Sequence, residues 1–208
     1  MTKLARARKS TSDYFTKPVV TLLARTPLTP NALTWLGFWF SAGAAALVVT
    51  DNLFAAGFMV LVAGFFDMLD GALARTTHRV TRFGSVLDST LDRLSEAVLL
   101  LSILAIYLRG QQVAESLLVG VALFGSLLVS YIKARTEALG IECNVGLFTR
   151  PERVILLALG LLLSQFNYAL VTALAVISFF SLFTAGQRLI YAWHQTRTQT
   201  TSKEKKGE

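Results

Sequence analysis

Apolar and polar positions along the chain fall into long blocks, not into the two-residue alternation of half-buried strands. Six blocks are long and greasy: Pro30–Thr50, Leu53–Arg75, Arg82–Leu108, Val113–Leu139, Pro151–Phe166 and Tyr168–Trp193. A helix crossing a bilayer needs roughly 20 mostly apolar residues, and five blocks reach that length. The fifth is the shortest, with 16 residues. The block pattern predicts an all-α integral membrane protein with six transmembrane helices in one domain over residues 29–194. Thr29-Pro30 reads as an N-cap followed by proline at the first helical position. Thr149-Arg150-Pro151-Glu152 has capping-box spacing at the start of the fifth block.

The flanks differ from the blocks. Residues 13–25 (DYFTKPVVTLLAR) mix aromatic and aliphatic side chains with Lys17 and Arg25. The stretch is too short to span and reads as an amphipathic helix in the membrane interface, within a cytoplasmic N-terminal segment 1–28; a soluble linker is the plainer alternative. The start is basic and lacks the apolar core of a cleavable signal. Residues 195–208 are polar and predict a disordered cytoplasmic tail.

Composition supports the membrane reading: 53% hydrophobic residues against 16% charged, with mean hydropathy +0.54. The net charge of +7 is distributed by topology and does not point to nucleic acid. Six Lys and Arg precede Thr29, three lie in Arg75–Arg82, four in Lys133–Arg153 and five in Arg188–Glu208. Arg109 alone sits at the opposite block ends. By the positive-inside rule, both termini and the second and fourth connections face the cytoplasm, which requires an even number of spans. The single cysteine, Cys143, excludes an internal disulfide and lacks a metal-binding pattern.

Against this background, residues 67–92 (DMLDGALARTTHRVTRFGSVLDSTLD) are anomalous. Asp67, Asp70, Gly71 and Ala74 fall on one helical face, and Gly84, Asp88 and Asp92 on one face of the next helix. Two antiparallel helices thus turn four carboxylates toward one another at membrane depth, where ionisable groups are costly and mark function. Clustered carboxylates repel, and a hard divalent cation removes the conflict. Oxygen-only ligands without His or Cys suit Mg2+, Mn2+ or Ca2+. Mg2+ commonly shares its carboxylates with substrate phosphates, which points to a diphosphate ligand. A set of charges paired with Arg75, Arg79, Arg82 and Arg93 near the interface is the structural alternative.

The spacing D-x2-D-G-x2-A-R-x8-G-x3-D-x3-D resembles the signature of the CDP-alcohol phosphotransferase family at every fixed position: Asp67, Asp70, Gly71, Ala74, Arg75, Gly84, Asp88 and Asp92. The six-block layout and the N-terminal interfacial helix resemble that family too. The resemblance implies transfer of a phosphatidyl group from CDP-diacylglycerol to an alcohol, with release of CMP. It implies Mg2+ or Mn2+ held by Asp67, Asp70, Asp88 and Asp92, with Asp92 also the general base. It assigns nucleotide contacts to Asp67, Asp70, Gly71, Ala74 and Arg75, and more weakly to Thr34 and Thr81. It also implies a homodimer, which the small-residue track Gly37, Ser41, Ala45 permits.

The acceptor is read from the fourth connection, YIKARTEALGIECNVGLFTRPER, which is similar to the equivalent stretch of the family's prokaryotic phosphatidylinositol-phosphate synthases. Lys133, Arg135, Arg153 and Arg188 are candidate ligands for a phosphate on a polyol acceptor such as inositol phosphate. Glycerol 3-phosphate satisfies the same charges. The plainer alternatives are topological charge and a Lys133–Glu137 pair one turn apart. A small ion-coupled transporter is the rival from another class. Transporters tend to place their sites at the midplane between repeats, whereas these carboxylates sit toward one surface and no second copy of the motif is present.

Overall fold

The computed structural model describes residues 19–23, 26–143 and 145–204, and side chains only as far as residue 197. Six helices follow in chain order: α1 (Pro30–Val49), α2 (Leu53–Thr76), α3 (Arg82–Arg109), α4 (Val113–Ala138), α5 (Arg150–Leu162) and α6 (Ala169–Glu204). A short helical piece at 19–23 precedes them, and no strand occurs among the described residues. Among the described residues four helices are long and apolar enough to cross a membrane: α1, α2, α4 and α6 over Ala169–Arg197. The other two depart from the six-span expectation for different reasons. α3 has 28 residues but carries Asp88, Asp92, Arg93 and Glu96 within its first fifteen. α5 has only 13, because the chain turns at 163–168, where Ser164 N–H bonds Leu161 O and Phe166 N–H bonds Leu163 O.

The chain forms two compact units, divided between Ser102 and Ile103. In the first, α1 packs on α2. The α1 start is capped as its sequence predicts: the Thr29 hydroxyl accepts from Ala32 N–H at 3.3 Å, with Pro30 following. Gly37, Ser41 and Ala45 are buried, and Gly37 faces Asp67 and Phe66 of α2. This small-residue track is therefore spent inside the subunit and is not available to a partner copy. Nearby, Phe40 stacks on Phe66 with centroids 5.1 Å apart. Of the expected interfacial helix, residues 19–23 are helical, and Val20 is buried against Leu33, Leu69, Ala72 and Leu73. The rest of that stretch lies outside the described residues.

In the second unit, α6 packs against both α4 and α5. α5 begins with the capping box expected from its sequence: Glu152 Oε2 accepts from Thr149 N–H at 2.9 Å and from the Thr149 hydroxyl at 2.6 Å. The connection before it is tied to α6 by three side chains on successive turns. Phe148 N–H donates to the Thr184 hydroxyl, Arg188 Nε to Val145 O, and the Tyr191 hydroxyl to Glu142 O. α6 runs on to Glu204, through the stretch whose polarity predicted a disordered tail. Left-handed backbone at Asp51, His78, Gln111 and Tyr168 lets each short connection reverse direction.

Candidate functional site

A cleft of about 220 Å³ opens in the first unit where the start of α1, the end of α2 and the start of α3 meet. Pro30, Asn31 and Thr34 line it from α1; Asp70, Gly71, Ala74 and Arg75 from α2; Gly84, Ser85 and Asp88 from α3. Arg79, Val80 and Thr81 of the intervening turn complete the wall. The cleft therefore gathers two of the four signature aspartates with every residue expected to contact a nucleotide except Asp67. Asp67 and Asp92 do not line it. Asp67 turns toward Gly37 on α1, and Asp92 lies one helical turn beyond Asp88 on α3.

The walls are built for close approach. A Cβ on Gly71 would stand 3.3 Å from Arg75 Nη1, so glycine lets the guanidinium fold back along its own helix. A Cβ on Gly84 would meet Thr81 Oγ1 at 2.8 Å and Asn31 Oδ1 at 3.0 Å. Without it, Thr81 accepts from Gly84 N–H at 2.9 Å and caps α3. Sequence reasoning missed Asn31, Arg79 and Ser85. Each lies within three residues of a residue it did identify, and that adjacency is the one signal that marks them.

Asp70 is the most enclosed carboxylate, 4% exposed. The Thr34 hydroxyl, which donates to Pro30 O at 3.2 Å, lies near it, and the charges of Asp88 and Asp67 act on it. Its Oδ2 is buried and accepts no hydrogen bond. Such an atom is costly unless something cationic meets it. Among the described residues no three His, Cys, Asp or Glu side chains converge into a complete ligand set. Of the four expected ligands only Asp70 and Asp88 line the cleft, and their carboxylate oxygens are of the kind that Mg2+ or Mn2+ takes together with phosphate oxygens and water. The donor set fits Mg2+ or Mn2+ in this sense.

The candidate acceptor cations lie in the second unit and fall into two classes. Arg153 is 2% exposed and Arg188 5%, and their like charges act on one another. Arg188 donates from Nε to Val145 O at 2.9 Å and from Nη1 to Val129 O at 2.7 Å. Gly146, at φ +138°, closes over that guanidinium; a Cβ there would stand 2.8 Å from Thr184 Cγ2 and 3.2 Å from Arg188 Nε. Lys133 and Arg135 are exposed, and Lys133 Nζ lies 3.7 Å from Glu137 Oε1. The structure thus separates two buried guanidiniums from two surface cations.

Known proteins share this architecture. The chain is 38% identical over 176 residues to archaetidylinositol phosphate synthase of Methanothermobacter thermautotrophicus, spanning 83% of this chain and 87% of that protein. It is 37% identical over 202 residues to phosphatidylinositol phosphate synthase of Mycobacterium tuberculosis, spanning 93% and 92%. Crystal structures of phosphatidylinositol phosphate synthase from M. tuberculosis superpose with a TM-score of 0.78 for the form with CDP-DAG bound and 0.79 for the complex with manganese and citrate. Both are 36% identical and cover 86% of this chain, against 93% and 88% of theirs. Residues 27–192 match the family model described as CDP-alcohol phosphatidyltransferase, and with the signature intact around the cleft, the chain belongs to that family.

Proposed function

We propose that this protein transfers a phosphatidyl group from CDP-diacylglycerol to a hydroxyl of inositol phosphate, releasing CMP. The observation that carries the reading is the cleft that joins Asp70 and Asp88 to Gly71, Ala74, Arg75, Thr34 and Thr81. Relatives named as phosphatidylinositol phosphate synthases at 37% identity support the acceptor, and the relative solved with manganese supports the metal.

Asp67, Asp70, Asp88 and Asp92 would hold Mg2+ or Mn2+, which supplies charge neutralisation to the diphosphate when bound. The protein's own groups do the rest. Gly71 and Ala74 let the diphosphate approach the α2 backbone, and Arg75 places a cation beside it. Asp92 takes the proton as the acceptor oxygen attacks the lipid-bearing phosphorus. The bond from that phosphorus to the CMP oxygen breaks, and CMP leaves with the electron pair. Arg153 and Arg188 bind the acceptor's phosphate, with Lys133 and Arg135 as outer cations. The protein sits in the cell membrane with six spans, its termini and site on the cytoplasmic side, as the distribution of Lys and Arg supports. Residues 13–25 rest in the interface, and the active form is a homodimer built on a surface other than the Gly37 track.

The deciding assay supplies radiolabelled CDP-diacylglycerol with inositol phosphate, inositol, glycerol 3-phosphate and serine in parallel. Labelled phosphatidylinositol phosphate forms with the first alone. Turnover with glycerol 3-phosphate and none with inositol phosphate replaces the acceptor assignment. Turnover with neither phosphate overturns the reading.

A further inference from the structure

Asp67, like Asp92, does not line the cleft; it is turned to Gly37, on the neighbouring helix. A Cβ built on Gly37 would stand 2.6 Å from Asp67 Oδ1, well inside van der Waals contact. The other nearest atoms, Ala63 O and Phe66 Cβ, would stand 3.5 Å away, an ordinary contact. The one group in conflict with a methyl at this position is therefore the carboxylate. A second glycine of the same helix gives the contrast. A Cβ on Gly43 would meet Met59 Cε at 2.7 Å, the free end of a flexible side chain that moves aside readily.

We infer that Gly37 is a positioning residue for Asp67, its missing side chain being the space beside α1 that the carboxylate occupies. The inference rests on the metal-assisted reading above. Its physical basis is that a group supporting a ligand from behind sets the ligand's orientation, and losing such a support typically weakens metal affinity by about 10–100-fold. Alanine is the better helix former, and the conflict is relieved by rotating one side chain. Gly37→Ala therefore keeps the fold and moves the carboxylate.

The test measures Mn2+ binding by the full-length protein in detergent, following free Mn2+ by electron paramagnetic resonance with no substrate present. Wild type and Gly43→Ala bind alike. Gly37→Ala and Asp67→Ala each bind more weakly, by about tenfold or more. The double variant Gly37→Ala/Asp67→Ala binds no more weakly than Asp67→Ala alone, because the glycine acts only through that carboxylate. Wild-type affinity in Gly37→Ala, or equal losses in Gly37→Ala and Gly43→Ala, overturns the inference. If Gly37→Ala does not fold, the double variant decides: recovery of a folded protein confirms the conflict with Asp67, and continued failure overturns it. Wild-type Mn2+ binding that is unchanged by Asp70→Asn overturns the metal reading itself and with it this inference, an outcome distinct from the others.

Discussion

Arg188 on α6 donates from Nη1 to the main-chain carbonyl of Val129 on α4, 2.7 Å away and 59 positions earlier in the chain. With Nε on Val145 O, the planar guanidinium joins a helix to a connection in one rigid fork. A lysine ammonium carries the same charge without that geometry. Arg188→Lys is therefore not conservative here. Each lost charge-assisted hydrogen bond costs about 1.5–3 kcal/mol, so Arg188→Ala lowers stability by at least about 3 kcal/mol and Arg188→Lys by part of that. Chemical denaturation in detergent reads the difference, and wild-type stability for Arg188→Ala would show that the fork is not structural.

Arg153 separates acceptor binding from donor binding. It is the largest fully buried side chain among the described residues, and the proposal gives it the acceptor's phosphate. Losing one charge-assisted hydrogen bond of about 1.5–3 kcal/mol raises the acceptor KM by about one to two powers of ten in Arg153→Ala. The KM for the CDP-lipid stays near wild type. Steady-state kinetics with each substrate varied in turn checks this, and equal losses for both would move Arg153 to a folding role.

In the proposed reaction the aspartates divide by task. Asp70 lines the cleft beside the expected diphosphate, whereas Asp92 lies one turn beyond it on α3. Asp70→Asn weakens CDP-lipid binding, since it removes a ligand charge. Asp92→Asn keeps the shape and removes the proton acceptor, so binding survives while kcat falls by about 100-fold or more. Equilibrium binding of CDP-diacylglycerol measured alongside turnover distinguishes the two; a near wild-type kcat for Asp92→Asn removes the base assignment.

Chelation provides the simplest check on the oxygen-only ligand set. Excess EDTA abolishes turnover, and Mg2+ or Mn2+ restores it, whereas Zn2+ does so poorly because the set contains neither His nor Cys. Full turnover in EDTA contradicts the role given to the carboxylates.

Much of this arrangement is legible in the sequence, because local rules fix it. The helix starts at Thr29 and Thr149 follow from capping chemistry, and the shared face of Asp70, Gly71 and Ala74 follows from helical period. What escapes is set by neighbours that one sequence does not name. The track Gly37, Ser41, Ala45 reads equally well as a surface for another copy or as a seat for an adjoining helix, and α2 occupies it. Asp67 shares the period of Asp70, yet a rotamer toward α1 takes it away from the cleft wall. Lys133 and Arg153 look alike as cations, but α4 leaves one exposed beside Glu137 while α5 buries the other. The end of α5 at Leu162 escapes because Leu163 and, past Ser164 and Gln165, Phe166 extend the apolar block after the backbone has turned.

That early turn sets a length. Thirteen residues rise about 20 Å as a helix, whereas the hydrocarbon layer of a bilayer is about 30 Å thick. In the six-span arrangement, α5 is too short for an average membrane, and the lipid around it has to thin or its end has to stop at depth. Either accommodation carries a cost that grows with every added ångström of lipid. With α5 as a span, lipid chain length would then matter to the protein: thin bilayers would favour its placement and thick ones oppose it. If α5 spans, the helix that carries Arg153 is the one whose length is most at odds with the bilayer.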